Sequence, residues 1–190
     1  MPKPTLVLYP GAGTGCDHPS LLATEEQLGS SAYVERRDFP YRQQGRRAPD
    51  RAPKLMAAIR DDLSAFGRRR GSIVMGGRSM GGRMTTMVAG DVDGQGGVDR
   101  LAGLVLICYP LHPPGKPDRL RVEHLPDVSV PCLFISGTRD PFGTPDELKR
   151  WTSTISAPVE HHWIEGGRHD LKGADGVIAE HIADFVAELS

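Results

Sequence analysis

The chain has 190 residues with a formal net charge of −1, and 38% of its residues are hydrophobic and 25% charged. This size suits one domain over residues 1–190 with one substantial core, and the composition excludes a disordered chain. The charge gives no case for nucleic-acid binding, and we expect a cytoplasmic protein without a membrane partner, because no secretory signal and no apolar run of roughly 20 residues is visible.

Hydrophobic patterning predicts strands that alternate with helices. In chain order the first predicted elements are a strand at 5–9, a helix at 19–29, a strand at 32–39, a helix at 51–66 capped by Asp50, a strand at 72–75, a sharp turn at 76–82 and a helix from there to about 89. They are followed by strands at 101–109 and 131–136, a helix at 144–154 capped by Thr144, a strand at 159–165 and a C-terminal helix ending near 189. An Arg- and Pro-rich loop is predicted at 40–49.

Several of these strands are nearly continuous apolar runs, which is typical of strands buried on both faces. With helices between them, they predict a parallel sheet that is covered on both sides and joined by right-handed crossovers. In such a sheet, binding and chemistry collect in the loops beyond the carboxyl ends of the strands. The residues in those loops therefore decide the functional interpretation.

The turn predicted at 76–82, after the strand at 72–75, contains Gly77, Ser79 and Gly81 in the pattern G-x-S-x-G. A serine exposed between a strand and a helix occupies a strained turn, and the residues two before and two after it must be small. Both are glycine here. The motif predicts Ser79 as a nucleophile, and the alternative is a Gly-rich turn without chemistry.

Two later loops carry an acid and a base. Asp140 follows the strand at 131–136, and His169 follows the strand at 159–165 after two glycines. Taken alone, Asp140 has the alternative interpretation of a turn residue that caps local amides, and His169 that of a surface histidine. Together with Ser79 they stand in the chain order of an α/β-hydrolase triad, in which the histidine removes the serine proton and the aspartate orients the imidazole.

Backbone amides near Ser79 are predicted to stabilise a developing oxyanion. The Met80 N–H immediately follows the nucleophile, and a second donor is expected from the loop after the first strand. Ala12 is the candidate there, with Gly13 less favoured. A nucleotide-binding interpretation of this Gly-rich loop is weak, because it lacks the third glycine of G-x-G-x-x-G and a Gly-Lys-Ser/Thr ending.

The strings GGRSMGGRM, YPLHPPGKP, LFISGTRDPFG and GGRHDLK resemble the α/β-hydrolase superfamily, and the resemblance covers nearly the whole chain. The chain is most similar to the small, lidless, dienelactone-hydrolase-like branch, and among these to bacterial hydrolases related to the testis-expressed and chromatin-complex hydrolase-like proteins. The resemblance implies a three-layer α/β/α sandwich with about six mainly parallel strands and no lid domain. Many relatives carry His-Gly where this chain has Pro10-Gly11, which keeps the backbone donor but removes a histidine side chain.

We therefore expect a serine hydrolase that cleaves a small soluble carboxylic ester, lactone or thioester through an acyl-enzyme on Ser79. The alternative is a non-catalytic binding or scaffold protein, because some eukaryotic members of the resembling group serve as scaffold subunits. Tyr109, Leu111 and His112 follow a strand end and are expected to border the pocket, with local packing as the alternative. Arg46 is a candidate ligand for an anionic substrate, against a solvated loop anchored by ion pairs.

No metal site and no organic cofactor are expected, because the cysteines are widely spaced and no CxxC occurs. Cys108 and Cys132 are predicted as buried thiols. The triplet Arg68-Arg69-Arg70 predicts a solvated helix end. The expected partner is a small-molecule acyl substrate, and monomer and homodimer both remain open.

Overall fold

The computed structural model describes residues 2–66 and 71–189, so the predicted helix end at Arg68–Arg70 lies outside the described residues. Within the described part, six strands form one sheet. The strands are β1 (Thr5–Tyr9), β2 (Tyr33–Arg36), β3 (Ile73–Arg78), β4 (Leu101–Ile107), β5 (Cys132–Gly137) and β6 (Val159–Ile164). Their spatial order is β2-β1-β3-β4-β5-β6, and every neighbouring pair is parallel.

Helices cover both faces of this sheet. They are α1 (Pro19–Leu28), α2 (Pro40–Gln43), α3 (Ala52–Ala65), α4 (Met80–Ala89), α5 (Pro145–Thr152) and α6 (Asp175–Glu188), with a short 3₁₀ turn at Leu125–Asp127. Buried residues of α1 and α6 form one apolar cluster with the sheet, and buried residues of α3, α4 and α5 form the other. The predicted three-layer α/β/α fold is therefore confirmed.

The central strands match the sequence pattern because both of their faces are covered. Every residue of β1, β3 and β5 is buried, as continuous apolar runs predict. Cys108 and Cys132 are buried free thiols, as expected. The capping box that Thr144 forms with Glu147 at the start of α5 agrees with the predicted cap.

The largest differences from the prediction lie at the sheet edge and its following loop. The strand expected at 32–39 is only β2, because it pairs on one side alone and Phe39 turns into the core. The loop expected at 40–49 contains α2, which Tyr41 anchors as a buried side chain. The residue before α3 is Arg51, which makes no side-chain cap, while Asp50 forms ion pairs instead of capping.

Between β4 and β5, the described residues 108–124 form turns without a helix, so no lid covers the carboxyl end of the sheet. Among residues 2–66 and 71–189, none of the helices has the length and apolar composition needed to cross a membrane. Strand β3 continues to Arg78, three residues further than predicted, and this brings Ser79 directly to the sheet edge.

Candidate active site

Ser79 lies in a strained turn between β3 and α4. Its backbone φ of 46° and ψ of −112° are unfavourable for a residue with a side chain. A Cβ at Gly77 would stand 2.0 Å from the Tyr9 carbonyl oxygen, and one at Gly81 would stand 2.3 Å from the same atom. The tight approach of β1 to this turn explains why both flanking positions are glycine.

The three predicted triad residues lie together, each beyond the carboxyl end of its own strand. The Oγ of Ser79 is 2.9 Å from His169 Nε2, and His169 Nδ1 is 2.8 and 3.0 Å from the two carboxylate oxygens of Asp140. An ionised carboxylate only accepts hydrogen bonds, so Nδ1 carries the imidazole proton and Nε2 is free to accept from Ser79. This tautomer is the one that a general base at Ser79 requires.

The carboxylate is buried and well held. Asp140 is 4% exposed, and it also accepts a hydrogen bond of 2.9 Å from the Phe142 N–H. The Phe142 ring stacks on the His169 imidazole with a centroid distance of 3.9 Å. The acid and the aromatic ring therefore fix the imidazole from its edge and from its face.

Arg78 secures the loop that carries the histidine. Its side chain is buried, and Nη2 donates to the carbonyl oxygens of His169 and Asp170, both at 3.1 Å. The acid loop is tied to the same segment, because the Arg139 N–H donates to the Gly167 carbonyl at 2.9 Å. The His169 loop is thus attached to the residue that precedes the nucleophile.

The two backbone amides predicted as oxyanion donors belong to segments next to Ser79. Met80 begins α4, so its N–H has no acceptor one turn earlier in the helix. Ala12 lies in the loop after β1, which contacts the nucleophile: a Cβ at Gly11 would be 3.7 Å from Ser79 Cβ. The Tyr41 hydroxyl donates to the Ala12 carbonyl at 3.1 Å and holds this loop in place. Gly13 is exposed at the outer end of the same loop.

Two open cavities meet at Ser79. One, of about 400 Å³, is lined by the β1 loop, Arg78, His169 and Asp170, together with His18. The other, of about 370 Å³, is lined by Pro49, Met80, Arg83, Pro110 and Arg121. Both share Ala12, Ser79 and Phe142. The serine therefore stands at the boundary between a histidine-side cavity and an arginine-side cavity, and these two names are kept below.

The expectation that Tyr109, Leu111 and His112 border the pocket is corrected, because these side chains point into the protein. The Tyr109 hydroxyl lies 3.1 Å from Thr86 Oγ1, and burial raises its pKa to about 12. Leu111 is fully buried, and His112 is 5% exposed with its Nδ1 2.9 Å from the next carbonyl, that of Pro113. Only the intervening Pro110 reaches the arginine-side cavity.

Arg46 lies outside both cavities. It is exposed, and its guanidinium makes two hydrogen bonds of 2.9 Å to the carboxylate of Asp50. This is the solvated, ion-paired loop that was the alternative to a substrate ligand. The positive charges at the cavity come instead from Arg83 and Arg121.

Four residues of the site were missed at the sequence level: Arg78, Arg83, Arg121 and Phe142. Arg83 carried a usable signal, because it lies four residues after Ser79 and thus on the same helix face. Phe142 follows Asp140 closely, as a loop neighbour of the acid. Nothing in the sequence distinguishes Arg78 or Arg121 from solvated arginines.

Cys108 lies behind the acid and base. In the described residues, one group of three possible metal ligands is found, formed by Cys108, Asp140 and His169 with their ligand atoms within 4.8 Å of one another. Two of these are already hydrogen-bonded to each other, and burial raises the pKa of the Cys108 thiol to about 12. A buried neutral thiol does not favour metal binding. The arrangement therefore suits the hydrogen bond between His169 and Asp140 better than a metal ion.

Comparisons with known proteins agree with this fold. A sequence model of the family described as "alpha/beta hydrolase domain" matches residues 2–186. Est1E from Butyrivibrio proteoclasticus is similar with a TM-score of 0.78 at 13% identity, over 99% of this chain and 88% of that chain. Dienelactone hydrolase from Anabaena variabilis has a TM-score of 0.77 at 14% identity, over 98% and 87% of the two chains. The RedJ thioesterase from Streptomyces coelicolor has a TM-score of 0.72 at 19% identity, over 95% and 85%. The structural similarities show a shared fold, and since the family match spans nearly the whole chain, the protein belongs to the alpha/beta hydrolase domain family.

Proposed function

We propose that this protein is a serine hydrolase that cleaves a small carboxylic ester, lactone or thioester through an acyl-enzyme on Ser79. The observation that carries the proposal is the unbroken hydrogen-bonded chain from Ser79 Oγ through His169 to the buried Asp140. A serine in a strained, exposed turn needs a base within hydrogen-bond distance to act as a nucleophile. The site supplies the base and the group that orients it.

In the proposed mechanism, His169 Nε2 takes the proton from Ser79 Oγ as the oxygen attacks the carbonyl carbon. The N–H groups of Met80 and Ala12 donate to the oxyanion that forms. His169 then returns the proton to the leaving oxygen or sulfur, which departs and leaves the acyl group on Ser79. The same imidazole then takes a proton from water as the water attacks the acyl-enzyme, and returns it to Ser79 Oγ as the bond between that oxygen and the acyl group breaks and the acid leaves.

The substrate class follows from the openness of the site and from the proteins that share the fold. An esterase, a dienelactone hydrolase and a thioesterase are among the similar structures. The two cavities together offer less than 800 Å³ and open to solvent without a lid over the described residues. This space suits a small acyl compound.

The proposal is tested by labelling the purified protein with a fluorophosphonate probe and measuring its intact mass. We expect one adduct on the wild type and none on Ser79→Ala, and His169→Ala should react far more slowly because the serine keeps its proton. Ser153→Ala is the matched control, since Ser153 is exposed and its hydroxyl contacts only the Arg150 carbonyl. An unlabelled but folded wild type would overturn the proposal and favour the non-catalytic scaffold alternative. A labelled protein would then be screened against short esters, lactones and thioesters.

A further inference from the structure

The arginine-side cavity is lined by two positive side chains, Arg83 and Arg121, that have no partner among the described residues. Arg83 lies on α4 four residues after Ser79, about 6 Å further along the helix axis. Arg121 belongs to the segment between β4 and β5 and lines the same cavity. Across residues 2–66 and 71–189, neither guanidinium forms a hydrogen bond or an ion pair, and Arg83 Nε is buried without an acceptor.

Two other arginines with little exposed surface, Arg60 and Arg78, have several acceptors, whereas Arg37 shares with Arg83 a buried Nε without one. Arg60 contacts two aspartates and two carbonyls, and Arg78 binds two carbonyls of the His169 loop. Arg83 and Arg121 are half-buried, and a buried N–H without an acceptor, such as Arg83 Nε, destabilises the protein unless a ligand supplies one. Burial lowers the pKa of Arg83, and the nearby charge of Arg121 lowers it further. Both effects favour binding of an anion at this place.

We propose that Arg83 and Arg121 bind a carboxylate carried on the acyl part of the substrate, so that the enzyme acts on monoesters or monothioesters of dicarboxylic acids. The inference rests on the proposed function, because it places the carboxylate relative to the bond that Ser79 attacks. Arg46, the sequence-level candidate for this role, is replaced by two residues that line the cavity itself.

The position of the histidine decides which part of the substrate carries the carboxylate. His169 must protonate the leaving atom, so the leaving group lies in the histidine-side cavity. The acyl chain then extends to the opposite side of Ser79, into the arginine-side cavity, which His169 does not line. A carboxylate at the far end of that chain meets the two guanidinium groups.

The charge balance of the cavity favours a singly charged carboxylate. Arg83 and Arg121 contribute two positive charges, and the exposed Glu123 lies near Arg83 and lines a neighbouring cavity with it. Glu123 forms no ion pair with Arg83 in the described structure, so it offsets one charge without occupying the site. The planar guanidinium matches a carboxylate through two parallel hydrogen bonds.

The test compares two esters with acyl chains of equal length, 4-nitrophenyl hydrogen adipate and 4-nitrophenyl hexanoate. The measured quantity, called the charge ratio here, is kcat/KM for the adipate ester divided by kcat/KM for the hexanoate ester. Arg83→Gln and Arg121→Gln should each lower the charge ratio about tenfold or more, because the charged hydrogen-bond partner of the adipate carboxylate is lost. Arg119→Gln is the matched control, because Arg119 is exposed, lies on the same segment and removes the same charge.

A charge ratio that changes less than threefold in both variants, or that falls equally in Arg119→Gln, would overturn the proposal. Circular dichroism reports folding of each variant, so a lower charge ratio in a folded variant identifies the binding site. If the wild type cleaves neither ester and Ser79 is not labelled, the proposed function fails separately. Calorimetry on Ser79→Ala then tests the carboxylate site directly. Tighter binding of methyl hydrogen adipate than of dimethyl adipate, with the difference lost in Arg83→Gln, supports the site. Equal binding of the two compounds contradicts it.

Discussion

Replacing Arg78 with methionine tests whether this side chain positions His169 without itself taking part in the reaction. The side chain is 5% exposed, and its Nη2 joins β3 to the loop that carries His169 through two hydrogen bonds of 3.1 Å. Methionine keeps much of the length and volume of arginine but removes the nitrogen that makes both hydrogen bonds. The loop would then be held by the Asp140 contact, by stacking on Phe142 and by the hydrogen bond from the Arg139 N–H to the Gly167 carbonyl.

Both bonds are made by the same nitrogen, Nη2, so the substitution is counted as the loss of one charged hydrogen-bond donor. A hydrogen bond to a charged group contributes about 1.5–3 kcal/mol, and each 1.4 kcal/mol corresponds to a factor of about ten in a population. We therefore expect Arg78→Met to lower kcat about 10- to 100-fold, because the imidazole occupies its reactive position less often. The rate of fluorophosphonate labelling should fall by a similar factor. The charge ratio should stay at the wild-type value, because Arg78 does not line the arginine-side cavity.

Arg78→Lys and Arg139→Met complete the experiment. Lysine restores a charged donor at the same place and should recover part of kcat, which a purely space-filling role would not explain. Arg139 is exposed and adjacent to Asp140, and its side chain has no contact in the site, so Arg139→Met should leave kcat unchanged. The reasoning is refuted if Arg78→Met keeps kcat within threefold, or if the methionine and lysine variants are equally inactive while folded.

Three other substitutions test the turn, the acid and a buried histidine. Gly77→Ala places a Cβ 2.0 Å from a carbonyl of β1, and should lower the free energy of unfolding in urea by about 3 kcal/mol or more. The control Gly176→Ala has open space in α6 and should raise it by about 0.5–1 kcal/mol; equal effects of the two would contradict the steric argument. Asp140→Asn should lower kcat about 10³- to 10⁴-fold, because the amide no longer selects the tautomer that accepts the serine proton, and activity within tenfold of wild type would exclude that role. Burial lowers the pKa of His124 to about 4, so the unfolded chain binds its proton first and stability should fall by about 1.4 kcal/mol per pH unit as pH drops from about 6.5 towards 4. His124→Gln should remove the part of the pH dependence of the unfolding free energy that one proton contributes, as measured by urea titrations at several pH values. An unchanged pH dependence would show that this histidine is not responsible.

The sheet and the three residues at Ser79 were predictable for related reasons. Each of the inner strands is a continuous apolar run, and the parallel arrangement that this implies brings all carboxyl ends to one edge. Once Asp140 and His169 were placed directly after β5 and β6, their approach to Ser79 followed from topology. The edge strand β2 was overestimated because its residues are only partly buried and the charged pattern does not mark its end.

The substrate contacts were not predictable, because they depend on where single side chains turn after a strand. Cys108 has a positive φ of 52° at the end of β4, so the chain reverses there and sends Tyr109 and Leu111 into the core. The cysteine at position 108 does not predict this conformation, because residues other than glycine rarely adopt a positive φ. Arg121 reaches the cavity from a segment without periodicity, and only the folded chain shows that Arg83 meets no acceptor there.

The absence of a lid over the described site and the unpaired arginines lead to the same view of selectivity. An open cavity discriminates poorly by shape, since one methylene in an apolar pocket changes selectivity only about 10- to 200-fold. A buried polar group that needs an acceptor discriminates more strongly, because a substrate without that acceptor leaves the group desolvated and unpaired. With His169 on one side of Ser79 and Arg83 on the other, the two ends of the substrate are distinguished by charge. A small open hydrolase of this kind selects its acyl group by the anion at its end, while the leaving group meets only the histidine-side cavity and stays weakly specified.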